Sequence, residues 1–260
     1  MDKPQNLPEP IIWTPELVNR FWDGLAQAGL DDVMAFGRMA RRCIHWVIND
    51  QLKPAGRHLD YGAGGGEVAA YLIERGYPFA VFEPSGERQR KTERLLADLE
   101  GFIPDVGPKD EGSFDAVTCF EVLEHVLDED IDKVCDELAA YVRPGGRLII
   151  STPNNEDLRC GMIYCPVSNK LFHRWQHVRQ VTPEWITNMF AARGFTKICL
   201  HQLDFDENLF LPFLHHMGLA PAPGKKAGAD IMPLHIHQVI NNIDSIFGGA
   251  TRLLYIGEKS

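Results

Sequence analysis

Four glycines fall within five positions in the stretch Leu59-Asp60-Tyr61-Gly62-Ala63-Gly64-Gly65-Gly66-Glu67-Val68. Glycine loses more conformational freedom on folding than any other residue, so an ordered segment this rich in it needs a compensating use. The preceding Arg57-His58-Leu59-Asp60-Tyr61 reads as a short buried strand, and Glu67 to Glu74 as a helix that ends near Gly76. A glycine turn between a strand and a helix lets a ligand approach bare backbone amides and a helix N-terminus. The dinucleotide pattern G-x-G-x-x-G, counted from Gly62 and Gly64, requires glycine at position 67, where this chain has Glu. The spacing that fits is Asp60-x-Gly62-x-Gly64-x-Gly66. Asp60 and Glu67 would repel a pyrophosphate, so a cationic or zwitterionic ligand suits the turn better.

The remaining pattern places this turn in an α/β fold. Strands are expected at Phe79–Glu83, Phe114–Phe120, Arg147–Thr152, Phe195–Leu203 and Thr251–Gly257. Helices are expected from Arg88 to Leu96, Asp130 to Tyr141, Pro183 to Arg193 and Ile236 to Phe247. Such alternation implies βαβ units around a mainly parallel sheet, with ligands at the carboxyl ends of the strands. Residues 1–12 read as irregular, Thr14-Pro15 as a helix start, and Asp32 to Leu52 as a second helix. Residues 1–52 thus form an N-terminal helical cap segment and 53–260 the core. Within the core, 153–182 is a long irregular loop on the acceptor side and 204–247 an insertion that includes PAPGKKAGAD.

Charge and cysteine usage narrow the function. The formal net charge is −10 and no long Lys/Arg run appears, which disfavours a nucleic-acid partner. No apolar run approaches the roughly 18–20 residues of a membrane span, and the Pro-rich start has no apolar signal core. Six scattered cysteines read as reduced thiols, and the chain as cytoplasmic. A homodimer is neither required nor opposed.

Four segments, in order and spacing, resemble class I S-adenosylmethionine-dependent methyltransferases: LDYGAGGGEV, FEPSGE, EGSFDAVTCFEVLEHV and VRPGGRLIISTPN. The resemblance covers roughly residues 57–200 and, more weakly, the last strand. It implies a three-layer, Rossmann-like sheet of seven mostly parallel strands, with S-adenosylmethionine as cofactor. Asp60, Gly62, Ala63 and Gly64 then back its methionine part, Glu83 and Pro84 its ribose, and Phe120 and Glu121 lie beside the donor. The family's acidic residue after the third strand finds its best match in Asp98, within ADLEGFIPD.

Just past the fourth core strand, Glu121, Glu124 and His125 could orient or deprotonate a hydroxyl, and His suits that role near neutral pH. Glu-x-x-Glu-His resembles both the ubiquinone-type O-methyltransferases and the small-RNA 2′-O-methyltransferases. The second branch implies Mg²⁺ on Glu121, Glu124, His125 and a later histidine, for which His177, ahead of Val181-Thr182-Pro183, is the choice over His173. Cys165-Pro166-Val167-Ser168 has Ser where a zinc knuckle needs Cys. Candidate acceptor-binding residues are Asn154, Tyr164, His173, Arg174, Trp175 and His177, with Trp13, Phe21 and Trp22 before the core. Phe210, His215, His216, His235 and His237 are further candidates in the insertion. The expected function is methylation of a small-molecule hydroxyl of the sugar, quinone or phenol type. The alternatives are a nicotinamide-dependent oxidoreductase or NAD-binding module, an N-methyltransferase and an RNA 2′-O-methyltransferase.

Overall fold

A doubly wound sheet carries the glycine turn at its centre. The computed structural model describes residues 7–30, 35–84, 86–210 and 234–260. Its strands are β1 (Glu9–Pro10), β2 (His58–Tyr61), β3 (Phe79–Phe82), β4 (Phe102–Ile103), β5 (Phe114–Phe120), β6 (Val142–Pro153), β7 (Met162–Cys165), β8 (Lys170–His173), β9 (Phe195–Leu203), β10 (Ser245–Ile246) and β11 (Arg252–Lys259). The helices are α1 (Pro15–Gln27), α2 (Phe36–Ile48), α3 (Glu67–Ile73), α4 (Gly86–Leu96), α5 (Ile131–Tyr141), α6 (Pro183–Ala191) and α7 (Leu234–Ile240).

Eight strands join in the order β10-β9-β11-β6-β5-β2-β3-β4. From β4 to β6 every pairing is parallel, and β11 runs antiparallel between β6 and β9. The strand order reverses between β2 and β5, which makes their carboxyl ends the switch point where ligands bind in such sheets. Alternating side chains bury both faces. Leu254 and Ile256 of β11 join the cluster built by α2, α3 and α7, whereas Leu253 and Tyr255 join that of α5 and α6. The result is three layers.

Several expectations change. Among the described residues the sheet has eight strands rather than seven. The extra one, β10, falls where a helix to Phe247 was expected; that helix ends at Ile240. The 153–182 loop is less irregular than expected, because β7 and β8 form an antiparallel hairpin that pairs through β8 with β1. The expected helix at Asp32 begins at Phe36, after residues outside the described ones. His215, His216 and PAPGKKAGAD also lie outside the described residues, as does the side chain of His235.

Thr-Pro pairs start two helices as the sequence implies. Thr14 accepts a hydrogen bond from the Leu17 N–H at 3.3 Å, and Thr182 from the Trp185 N–H at 3.1 Å. The six cysteines are free. Among the described residues no helix is long and apolar enough to cross a membrane.

Candidate active site

The glycine turn closes tightly onto its neighbours. Gly62, Gly64 and Gly66 have φ of 77°, 56° and 81°, in the left-handed region that side chains disfavour. A Cβ on Gly62 would lie 2.5 Å from Val122 Cγ2, so this position has room only for glycine. The turn is tied down by the Gly62 N–H donating to Phe82 O at 2.7 Å and Thr92 Oγ1 donating to Gly64 O at 2.7 Å.

In front of the turn opens a cavity of about 410 Å³. Its lining includes Asp60, Gly62, Ala63 and Gly64 of the turn together with Glu121, Glu124, His125, Trp175 and His177. Trp22 of α1 and Phe36 of α2 also line it. Asp60 is 3% exposed and accepts a hydrogen bond from Thr118 Oγ1 at 2.9 Å. Burial pushes its carboxyl up to about 7, with Glu67 and Glu83 adding to the rise. Glu83 accepts from the Gly64 N–H at 3.0 Å, which sets its carboxylate beside the turn.

Glu121 follows β5 with a φ of 53°, an unusual conformation for a non-glycine residue. Ser151 Oγ donates to its Oε1 at 2.9 Å, and Arg252 Nε lies 2.7 Å from Oε2, off the line of a well-formed hydrogen bond. Burial still raises the Glu121 carboxyl, against the pull of Arg252. Glu124 is 1% exposed; Thr152 Oγ1 donates to Oε2 at 3.1 Å, and Oε1 has no hydrogen-bond partner. Burial first, then Glu121, raises Glu124 well above the usual carboxylate range. Burial and then His177 push His125 down to about 3. The His125 ring packs edge-on against Trp22 at 5.0 Å and His177 at 4.9 Å.

Mg²⁺ takes oxygen donors in a near-octahedral set. Glu121, expected as a ligand, is instead engaged by Ser151 and Arg252. Glu124, His125 and His177 do gather, with ligand atoms within 4.8 Å of one another, but they offer one carboxylate and two imidazoles. This set does not fit Mg²⁺, and a neighbouring guanidinium adds repulsion.

Other expected site residues fall elsewhere. Asp98 sits exposed in the turn that enters the amino end of β4, whereas ligands of such a sheet sit at carboxyl ends. Pro84 is exposed. The Asn154 amide is spent on Gln202 Oε1 and Ala250 O. Tyr164 is 48% exposed on the hairpin, and its hydroxyl bonds Asn169. Arg174 lies exposed over Trp175, and His173 is buried behind His177. Of the six acceptor candidates only Trp175 and His177 line the cavity. The sequence reading missed Arg252, Arg88, Lys91 and Thr92 on the wall. It also missed Gln176, fully buried with a φ of 60°, which accepts from Trp22 Nε1 and donates to His125 O.

The family model of a methyltransferase domain matches residues 36–206. The chain belongs to this family. The match settles the choice between a methyl-donor fold and a nicotinamide fold in favour of the first. A ubiquinone biosynthesis O-methyltransferase from Xanthomonas axonopodis pv. citri is 33% identical over 148 residues, covering 53% of this chain. The aligned part spans 58% of that relative's length. Solved methyltransferase structures share the fold. The Haloferax volcanii methyltransferase in complex with the Trm112 activator has a TM-score of 0.58 at 18% identity, covering 91% of this chain and 96% of that one. The Burkholderia thailandensis 1,6-didemethyltoxoflavin-N1-methyltransferase has a TM-score of 0.54 at 17% identity, covering 97% and 94%.

Proposed function

We propose that this methyltransferase-domain chain transfers a methyl group from S-adenosylmethionine to a hydroxyl of a small molecule of the sugar, quinone or phenol type. One observation carries the reading: one cavity at the switch point is lined both by the glycine turn with Asp60 and by His125, His177 and Trp175. The residues present fit the cofactor. Gly62 and Gly64 leave bare backbone where a ligand can lie, the Asp60 carboxyl is available to an ammonium group, and the Glu83 carboxylate beside Gly64 is available to ribose hydroxyls. When bound, S-adenosylmethionine supplies an electrophilic methyl group on a sulfonium, open to in-line displacement. The chain's part is to align the acceptor oxygen and exclude water. His125, held neutral by burial, is an orienting group for the acceptor hydroxyl rather than a strong base. Glu124, with its raised carboxyl, favours the protonated acid and can donate to an acceptor oxygen. An oxygen acceptor is supported by the ubiquinone biosynthesis O-methyltransferase relatives. A net charge of −10 argues against RNA.

S-Adenosylhomocysteine at a hundred times its Kd should stabilise the protein by about 2.7 kcal/mol. For a chain of this size that is a Tm rise of roughly 5–10 °C. NADH at the same concentration should give none, and the reverse pattern would overturn the reading. Labelled methyl transfer to a panel of phenols, quinols and sugars then identifies the acceptor. His125→Ala should lower kcat/KM by roughly 10- to 100-fold, the scale of a lost alignment contact; unchanged turnover would remove His125 from the site.

A further inference from the structure

Behind the cavity wall, a half-buried carboxylate and a buried second histidine grip His177. Glu156 Oε2 lies 2.5 Å from His177 Nδ1. His173, stacked on His177 at 4.4 Å between ring centroids, is 2% exposed, and its Nε2 lies 3.4 Å from Glu156 Oε1. The tautomers follow from the donors. The backbone N–H groups of Trp175 and His177 both point at His173 Nδ1, at 3.4 and 3.2 Å. A backbone N–H can only donate, so His173 Nδ1 carries a lone pair and its proton sits on Nε2, 3.4 Å from Glu156 Oε1 and off the line of a well-formed hydrogen bond. Glu156 is held below the usual carboxylate range: burial opposes this, but the hydrogen bond from His177 and the neighbouring histidines outweigh it. An ionised carboxylate only accepts, so the His177 proton sits on Nδ1. In the neutral form of this cavity-lining ring, that leaves Nε2 with a lone pair. Gly161 makes the arrangement possible, because a Cβ there would lie 1.7 Å from His173 Nε2.

We infer that Glu156, braced by His173, is a positioning residue that fixes His177 as the proton acceptor for the methylated hydroxyl. This rests on the methyltransferase reading above. As the acceptor oxygen bonds to the methyl carbon, the methyl–sulfur bond breaks and its electron pair stays on sulfur. The hydroxyl proton passes to His177 Nε2, and the resulting imidazolium is balanced by the Glu156 carboxylate, the division of labour found in carboxylate–histidine pairs. His125 lacks this support: its Nδ1 is buried without a partner, and the nearest carboxylate oxygen, Glu124 Oε1, is 3.9 Å from Nε2.

The test combines kinetics with ¹⁵N NMR of the histidine rings, using His177→Gln to assign the His177 signal. In the neutral form of the His177 ring the wild type should carry the proton on Nδ1, and Glu156→Ala should lose that preference. Glu156→Gln, which keeps size and a possible acceptor, and Glu156→Ala should both lower kcat at least tenfold, towards about 10³-fold. KM and S-adenosylhomocysteine affinity should stay within threefold. A kcat within twofold of wild type in both variants, or a wild-type proton on Nε2, overturns the inference. So does a fall in cofactor affinity and Tm that matches the loss of rate, since that marks a merely structural role. If the wild type binds cofactor yet methylates nothing, the hydroxyl-transfer reading fails, and the tautomer measurement alone decides the pair.

Discussion

In the proposed site Asp60 has two opposed tasks: it must survive burial, and it must offer a carboxylate to a ligand. Its folded-state pKa of about 7 lies above its ordinary value, so the sign is fixed. Below about pH 4 the group is protonated in both folded and unfolded chains and costs nothing. The cost grows as pH rises through 7 and is complete above it. Asp60→Asn should therefore stabilise the apoprotein at pH 8 by roughly 1–3 kcal/mol, a gain that fades towards pH 4, as thermal melts at the two pH values will show. The same variant should bind S-adenosylhomocysteine at least tenfold more weakly at pH 8, measured by calorimetry, because the ammonium loses its counter-charge. Equal stability of the two proteins at pH 8 would place Asp60 outside an apolar environment. That Asp60, Glu121, Glu124, His125 and His177 share one cavity was legible in the sequence because each sits in or beside a motif. Arg252 and Glu156 were not. Arg252 reaches Glu121 only because β11 enters the sheet next to β6, and Glu156 meets His177 across 21 residues, a pairing that no local pattern announces.

At the level of elements, the strand-turn-helix at Gly62 is under a double steric demand. Gly62→Ala meets two penalties at once: a left-handed φ and a Cβ 2.5 Å from Val122 Cγ2. The backbone cost alone is about 1–2 kcal/mol, and the clash moves the segment that carries Glu121 and Glu124. Gly62→Ala should lower the Tm and abolish detectable S-adenosylhomocysteine binding. Adding Val122→Ala should restore part of the Tm, because it removes the clash but not the strained φ; no recovery in the double variant would exclude the contact as the cause. The helix start at Thr182 is a milder case. Thr182→Ala removes the bond to the Trp185 N–H and should cost about 1 kcal/mol, with methyl transfer retained per folded molecule. These elements were readable because their signals are local: a glycine run, or a Thr-Pro pair before an apolar stripe. β4 and β10, with two residues each, carry no period to read, and their places come from pairing with β3 and β9. β10 was hidden further by the three- and four-residue spacing of apolar side chains over 236–247, which imitates a helix.

For the whole molecule, the last strand matters most to the sheet's integrity. β11 is the sole antiparallel strand among those described in the large sheet, and β9 and β10 reach the rest of that sheet through it. Leu253, Leu254, Tyr255 and Ile256 are each 0% exposed, two towards each helical layer. Burying four such side chains is worth roughly 6–12 kcal/mol at about 1.5–3 kcal/mol each. That is comparable to the roughly 5–15 kcal/mol by which an entire domain is stable. The sheet thus depends on a segment more than 100 residues from the glycine turn, even though the turn is what most constrains the fold from sequence alone. A chain ending at Gly249 should lose its cooperative thermal transition by circular dichroism, whereas one lacking only Ser260 should melt within about 1 °C of the full chain. A truncated chain that still melts cooperatively near the full-length Tm would contradict the placement of β11 between β6 and β9. In that case the Arg252–Glu121 contact, which that placement creates, would fall with it.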